Sequence, residues 1–265
     1  NKENTTTRTT APAANAAGRL IGFRTGFLSL CVVIGVSFVA GTFVLTDTMT
    51  NVFTQIFDQA YAGVAVSVRS QSDLGVDAAR PPMPDTVLDT VRAVPGVRVA
   101  EGGVFTTGGR IIDADGNQVG NQFAPTFLAS WPAEPVFSAF TLVDGTPPTG
   151  AGEVVVDLGA ATEAGFVVGD DIRVQTTRGL QTFRLVGIAR YGTASNMGGA
   201  SAALFDLATA QTEADRIGAF DDISVAASDG TDALALKASV QDAVGPDFEA
   251  VTGTDLSVES ADAIN

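Results

Sequence analysis

The sequence predicts an α+β protein in which one N-terminal transmembrane helix, extended into a stalk, carries a mixed α/β extracytoplasmic domain with a β-rich inserted lobe. Three observations predict it. Residues 26–45 form an uncharged apolar run, an apolar stripe at helical spacing continues it to residue 61, and short alternating strands interleave with helical stretches from residue 64 onward.

The apolar run is 20 residues long, and at about 1.5 Å per residue it spans about 30 Å, the thickness of a hydrocarbon core. In lipid a single segment satisfies its backbone polar groups only as a helix. Arg19 and Arg24 precede the run, while Asp47 and Asp58 follow it. The excess of positive charge on cytoplasmic flanks places the N-terminus in the cytoplasm, the run in the plasma membrane among its lipids, and residues after about 46 outside. A cleaved signal peptide has a shorter apolar region and a small-residue cleavage site. Here Ala40 and Gly41 are followed by Phe43, Val44 and Leu45, and Leu30 stands where a lipoprotein signal would place a small residue before Cys31. The run therefore reads as an uncleaved anchor. Ser37 and Gly41 form a small-xxx-small pair that would let another helix approach closely; that small residues are simply common in such helices is an equally good account.

The stripe comprises Met49, Val52, Phe53, Ile56, Phe57 and Tyr61, at spacings of three and four with no Gly or Pro before Gly63. A stalk is expected over residues 46–62, packed either on its own domain or on a partner helix. Residues 1–18, polar and rich in Thr and Ala, read as a disordered cytoplasmic tail.

Composition narrows the chemistry. The 265 residues include 15 Lys and Arg and 30 Asp and Glu; four of the basic and one of the acidic residues fall in the first 24, leaving 11 and 29 beyond. So acidic a domain repels phosphate backbones, which excludes nucleic acid as a partner. There is no His and one Cys. Intrachain disulfides, Cys/His zinc sites and His-based nucleophilic triads are thereby excluded. No phosphate-binding G-x-x-x-x-G-K-[ST] loop occurs. The sequence offers no catalytic, cofactor-binding or metal-binding residues, and no enzyme activity is expected of it.

The domain reads as follows. Strands are expected at 64–69 and 97–101, separated by a Pro-rich break at 80–84 and a helix over 85–94 ended by Pro95-Gly96. Residues 109–119 read as a hairpin turning at Asp115-Gly116, and 121–150 as an irregular stretch holding the only Trp, Trp131. A buried strand at 153–157 leads into a helical turn at 158–164. Strands at 171–176 and 181–190 follow, with Gly187 marking a bulge. A strand at 202–205, a helix from Asp206, a strand at 222–226, a helix over 231–244 and a strand at 248–251 complete the pattern. This divides the domain into an α/β lobe, 63–108 with 213–255, and a β-rich lobe, 109–212. Asp113 and Asp115 resemble part of a calcium loop but lack its remaining ligands, so a turn explains them better. The pairs Asp170-Asp171 and Asp221-Asp222 read as solvated strand ends, because sequence neighbours on a strand point apart. Trp131 and Phe137 fit a local core better than an apolar groove.

Several segments resemble a known family. VAGTFVLTDTM (39–49), at the outer end of the membrane helix, is similar to the start of actinobacterial permeases of the FtsX-like, MacB/LolE-type ABC transporter family. GEVVVD (152–157), the Gly169-Asp170 turn before IRV (172–174), FRLVGI (183–188) and ALFDLATAQ (203–211) resemble that family's extracytoplasmic MacB-like core domain. The resemblance covers residues 19–265 and no motif in it is catalytic. It implies a permease subunit whose outer domain binds a substrate or partner, or relays motion. The implied partners are a separate cytoplasmic ABC ATPase and further permease transmembrane helices, as a dimer. It also implies that residues 256–265 lead into a second membrane helix, so that the sequence is a fragment. The rival expectation is a single-pass anchored binding protein that captures a ligand outside the cell.

Overall fold

The computed structural model describes residues 61–72, 80–121 and 124–262, all within one compact unit, Val52–Asn265. The expected membrane span at 26–45 and the stalk before residue 61 lie outside these. Among the described residues no helix is long and apolar enough to cross a membrane.

In chain order the elements begin with β1 (Val66–Ser70), β2 (Met83–Pro84), α1 (Val87–Arg92), β3 (Val97–Gly103), β4 (Phe105–Ile112) and β5 (Thr126–Ser130). A 3-10 turn, Pro135–Phe137, precedes β6 (Phe140–Gly145), β7 (Glu153–Asp157), α2 (Leu158–Ala164), β8 (Asp171–Thr176) and β9 (Gly179–Tyr191). Then come β10 (Ser201–Phe205), α3 (Leu207–Glu213), β11 (Ala219–Phe220), β12 (Asp222–Ala227), α4 (Ala233–Val244), β13 (Phe248–Thr252) and α5 (Gly253–Asp262).

Four strands form an antiparallel sheet in the order β13-β1-β12-β3. Alternation along these strands sends Val66, Val68, Ile223 and Val225 to one face, where Val91 of α1 and Leu236 and Val240 of α4 cover them. Asp232 starts α4 by accepting Ala235 N–H at 2.9 Å. The other face carries the polar partners of the alternation, and it is this face that meets the second lobe.

The second lobe is a closed ring. β9 pairs with β7, β7 with β10, β10 with β5, β5 with β4, β4 with β8, and β8 returns to β9. Closure is possible because β9 is 13 residues long: its first half pairs with β8 and its second half with β7 and β6. Ring closure leaves no unpaired edge between these strands. The interior holds Ile172 and Val174 of β8, Phe183 and Leu185 of β9 and Phe205 of β10, with the Phe183 and Phe205 rings 4.8 Å apart. β7 is apolar at three consecutive positions because both of its faces are covered. Val154 and Val156 point into the ring, while Val155 packs outside with Leu204 and Tyr191.

Most expected elements form where the residues placed them, and the differences have local causes. The stretch 121–150, expected to be irregular, contains β5 in the middle of the ring and β6 beside it. β5 pairs in parallel with β10, a partner more than 70 positions away that no local pattern announces. Pro125 and Pro132 flank the strand without occupying ladder positions. The expected hairpin keeps its turn, but its return arm is a single bridge, Ile112 to Gln118; β4 pairs instead with β5 and β8. The chain passes into the barrel at Val104, so β4 begins four residues before the lobe limit expected at 109. The Pro-rich break contains β2, which pairs with β11. The polar tail after residue 252 folds as α5. Gly187 does sit beside a bulge: Val154 pairs with Leu185 but Val155 with Gly187, leaving Val186 as the extra residue. A Cβ at Gly187 would lie 2.6 Å from the Thr146 carbonyl oxygen, so only glycine fits there.

Candidate functional site

The open face of the four-stranded sheet and the outside of the barrel enclose a cleft of about 710 Å³. Its floor is polar, with Ser67 and Arg69 of β1, Glu101 of β3, and Asp222 and Ser224 of β12. Its wall is apolar, with Phe127, Phe137, Phe140, Tyr191 and Leu204. The division follows from strand alternation. The residues between those floor positions, Val68, Ala100 and Ile223, are the ones buried under α1 and α4.

The charges on this floor differ in how they are matched. Arg69 donates from both Nη atoms to Glu259, at 2.7 and 2.9 Å, and from Nε to Glu249 at 3.0 Å. Arg80 donates to the same Glu249 oxygen at 3.0 Å and to the Ser70 carbonyl at 2.7 Å. Glu101 accepts the backbone N–H groups of Ala133 and Glu134, at 2.7 and 2.9 Å, and so ties the α/β sheet to the barrel's loop. Asp221 pairs with Arg216 at 2.7 Å and accepts Phe105 N–H at 2.9 Å, fixing the crossing between the lobes.

Asp222 stands apart. It accepts from Ser224 Oγ at 3.1 Å, and among the described residues no Lys or Arg nitrogen lies within ion-pair distance of it. Burial raises its carboxyl to about 6, with the Ser224 hydrogen bond opposing and the charges of Asp221 and Glu101 adding to the rise. Asp157, also raised by burial to about 6, has a structural explanation. It starts α2 by accepting Ala160 N–H at 2.9 Å and holds β10 through Ala202 N–H at 2.7 Å. Asp222 has no comparable backbone partners, so its position at the cleft calls for another account.

A second feature lies where residues 61–64 meet α5. Residues 61–63 form a turn closed by Val64 N–H to the Tyr61 carbonyl at 2.9 Å. Tyr61 packs beside Val64, Phe137 and Ala226, and its hydroxyl lies 3.5 Å from Ser260 Oγ of α5. Burial raises the Tyr61 hydroxyl above its ordinary value, opposed by that hydrogen bond. The backbones are in close contact. A Cβ at Gly63 would fall 1.8 Å from the Val136 oxygen, and one at Gly253, the first residue of α5, would fall 2.1 Å from the Val64 oxygen. With the Arg69–Glu259 fork, these contacts hold the 61–64 turn and α5 against each other and against the four-stranded sheet, with Gly63 seated on the turn before β6.

Of the residues expected to contact a partner helix, the structure describes Tyr61 alone, and it places Tyr61 against the domain. Met49, Val52, Phe53, Ile56, Phe57, Ser37 and Gly41 lie outside the described residues. Asp170 and Asp171 sit at the start of β8; Asp170 accepts Val167 N–H at 2.9 Å. Asp221-Asp222, expected as a solvated strand end, instead lines the cleft and is partly buried beneath the second lobe. Nothing near residue 222 in the sequence marks this, because the covering residues come from β5, β6 and β9. Asp113 closes its turn by accepting Asn117 N–H at 2.7 Å. Phe137 lines the cleft, while Trp131 packs behind it with Phe140 and Leu204. Among the described residues no group of three His, Cys, Asp or Glu side chains is placed to hold a metal ion.

The described residues thus form a two-lobed α+β domain with a cleft between its four-stranded sheet and its barrel. The MacB-like periplasmic core domain family matches residues 25–243. The chain therefore belongs to that family, and the domain is a MacB-like periplasmic domain of the FtsX/MacB-like ABC transporter permeases. Among solved structures it is similar to the periplasmic region of MacB from Actinobacillus actinomycetemcomitans, at 13% identity and a TM-score of 0.54, covering 74% of this chain and 94% of that one. A second similar structure is the extracellular domain of the noncanonic ABC-type transporter YknZ from Gram-positive bacteria, at 10% identity and a TM-score of 0.48, covering 71% and 99%. No curated protein sequence matches significantly.

Proposed function

We propose that this domain is the moving outer part of a permease, displaced by membrane helices that respond to a separate cytoplasmic ATPase. The observation that carries this reading is the junction at Tyr61, Arg69, Gly253 and Glu259. The segment arriving from residue 60 and the helix leaving at 253 grip the same sheet. A pull or twist on either is then delivered to β1 and β13 together, and Glu101 and Asp221 pass it on to the barrel. Packed elements joined by hydrogen bonds move as rigid bodies rather than deforming. In this reading the helix at 26–45 is the membrane lever, and Met49, Val52, Phe53, Ile56 and Phe57 are the stripe that meets a partner helix.

The test uses the full-length permease with its ATPase in lipid nanodiscs. A dye is placed at residue 217, an Ile that is 78% exposed, in a Cys31→Ser background, and an acceptor on the lipid headgroups. ATP is expected to change energy transfer in the wild type. In Arg69→Gln, ATP hydrolysis should continue while the change is lost. Undiminished displacement in the variant would remove the junction from the mechanism.

A further inference from the structure

We propose that the cleft between the four-stranded sheet and the barrel is a binding site for an organic cation with an apolar body, and that Asp222 is its counter-charge. The volume of about 710 Å³ lies within the range of sites that take small molecules. The wall supplies aromatic and aliphatic surface from Phe127, Phe140, Tyr191 and Leu204, and the floor supplies charge.

The sign of that charge decides the class of ligand. Arg69 and Arg80 are held by Glu249 and Glu259, and Arg216 by Asp221. Glu101 gives both oxygens to backbone N–H groups. Two guanidinium groups and three carboxylates line the cleft, and Asp222 is the one matched by a single hydroxyl among the described residues. An anion would meet Asp222 and Glu101 with no unengaged guanidinium to offset them. A neutral apolar molecule would leave the Asp222 carboxylate desolvated and without a partner, which is costly. A cation beside Asp222 removes that cost, and its apolar part covers the aromatic wall, whose ring faces also favour positive charge. Binding in the cleft can be measured without the membrane partners or the ATPase, so its failure and that of the motion relay are distinguishable.

Tetraphenylphosphonium and tetraphenylborate are near-identical in shape and opposite in charge. Equilibrium dialysis of the full chain in maltoside detergent, corrected for micelle uptake, is expected to show one saturable site for the phosphonium and none for the borate. Asp222→Asn should weaken phosphonium binding by roughly tenfold or more, the weight of one partly desolvated charge pair. Its fold is checked by circular dichroism. Phe127→Ala, which trims the wall and keeps the charge, should weaken binding as well. Equal binding by wild type and Asp222→Asn, equal binding of the borate, or no saturable phosphonium site would each overturn the proposal.

Discussion

Replacing Asp222 with Asn should make the domain more stable at neutral pH and leave it nearly unchanged in acid. The Asp222 carboxyl titrates at about 6 in the folded protein against an ordinary value of 3.8. A group whose folded pKa is raised contributes stability that is fully present below the unfolded pKa and is lost as pH rises through the folded one. The loss therefore runs from about pH 4 to about pH 6 and is complete at pH 8. Two pKa units at about 1.4 kcal/mol each amount to about 3 kcal/mol. Asn keeps an acceptor for Ser224 Oγ and carries no charge, so the variant escapes this loss. For a domain of this size about 3 kcal/mol corresponds to a Tm rise of roughly 6–12 °C. The assay is urea and thermal unfolding of wild type and Asp222→Asn at pH 4 and pH 8, followed through Trp131 fluorescence. The expected gap is about 3 kcal/mol at pH 8 and under about 1 kcal/mol at pH 4. A variant less stable than wild type at pH 8, or a gap of equal size at both pH values, would show that the Asp222 carboxylate does not destabilise the fold.

Other consequences are open to simpler measurements. Phe205→Ala, at a fully buried position against Phe183 in the ring, should cost about 3–5 kcal/mol in urea unfolding. Asp157→Ala leaves Ala160 N–H and Ala202 N–H without their acceptor and should cost about 2–4 kcal/mol; a loss below about 1 kcal/mol would show that water replaces the carboxylate. Gly63→Ala drives a methyl into the Val136 backbone and should destabilise the domain by about 1–3 kcal/mol. Because the strain falls at the junction, the same variant should loosen α5, read as faster amide exchange over residues 253–262. A cysteine at position 217, in the Cys31→Ser background, should react with a membrane-impermeant maleimide added to intact cells. Labelling only after lysis would contradict an extracytoplasmic domain.

The parts of the fold legible in the sequence were those set by local rules. The helical turn at 158–164, the helix expected over 231–244 and the apolar run of β7 each depend on neighbours within a few residues. β5 was not legible, because its ladder partners come from distant segments and it is too short to show a period. The same reason hid the cleft. Ser67, Glu101 and Asp222 read as the polar half of an alternation, and only the apposition of Phe127, Phe140 and Tyr191 turns that face into a site. Tyr61 is the instructive intermediate case. Its place on the apolar stripe was readable, but its partner Ser260 is 199 positions away, and helical spacing does not say what a stripe packs against.

The most direct test of the relay is the displacement of the wild-type outer domain in the assembled transporter. With the permease and its ATPase in nanodiscs and the dye at residue 217, energy transfer to the headgroups should change when ATP binds and return after hydrolysis. A hydrolysis-deficient ATPase should hold it in the changed state. Energy transfer that stays constant through the cycle, in an assembly that hydrolyses ATP normally, would contradict an outer domain moved from within the membrane.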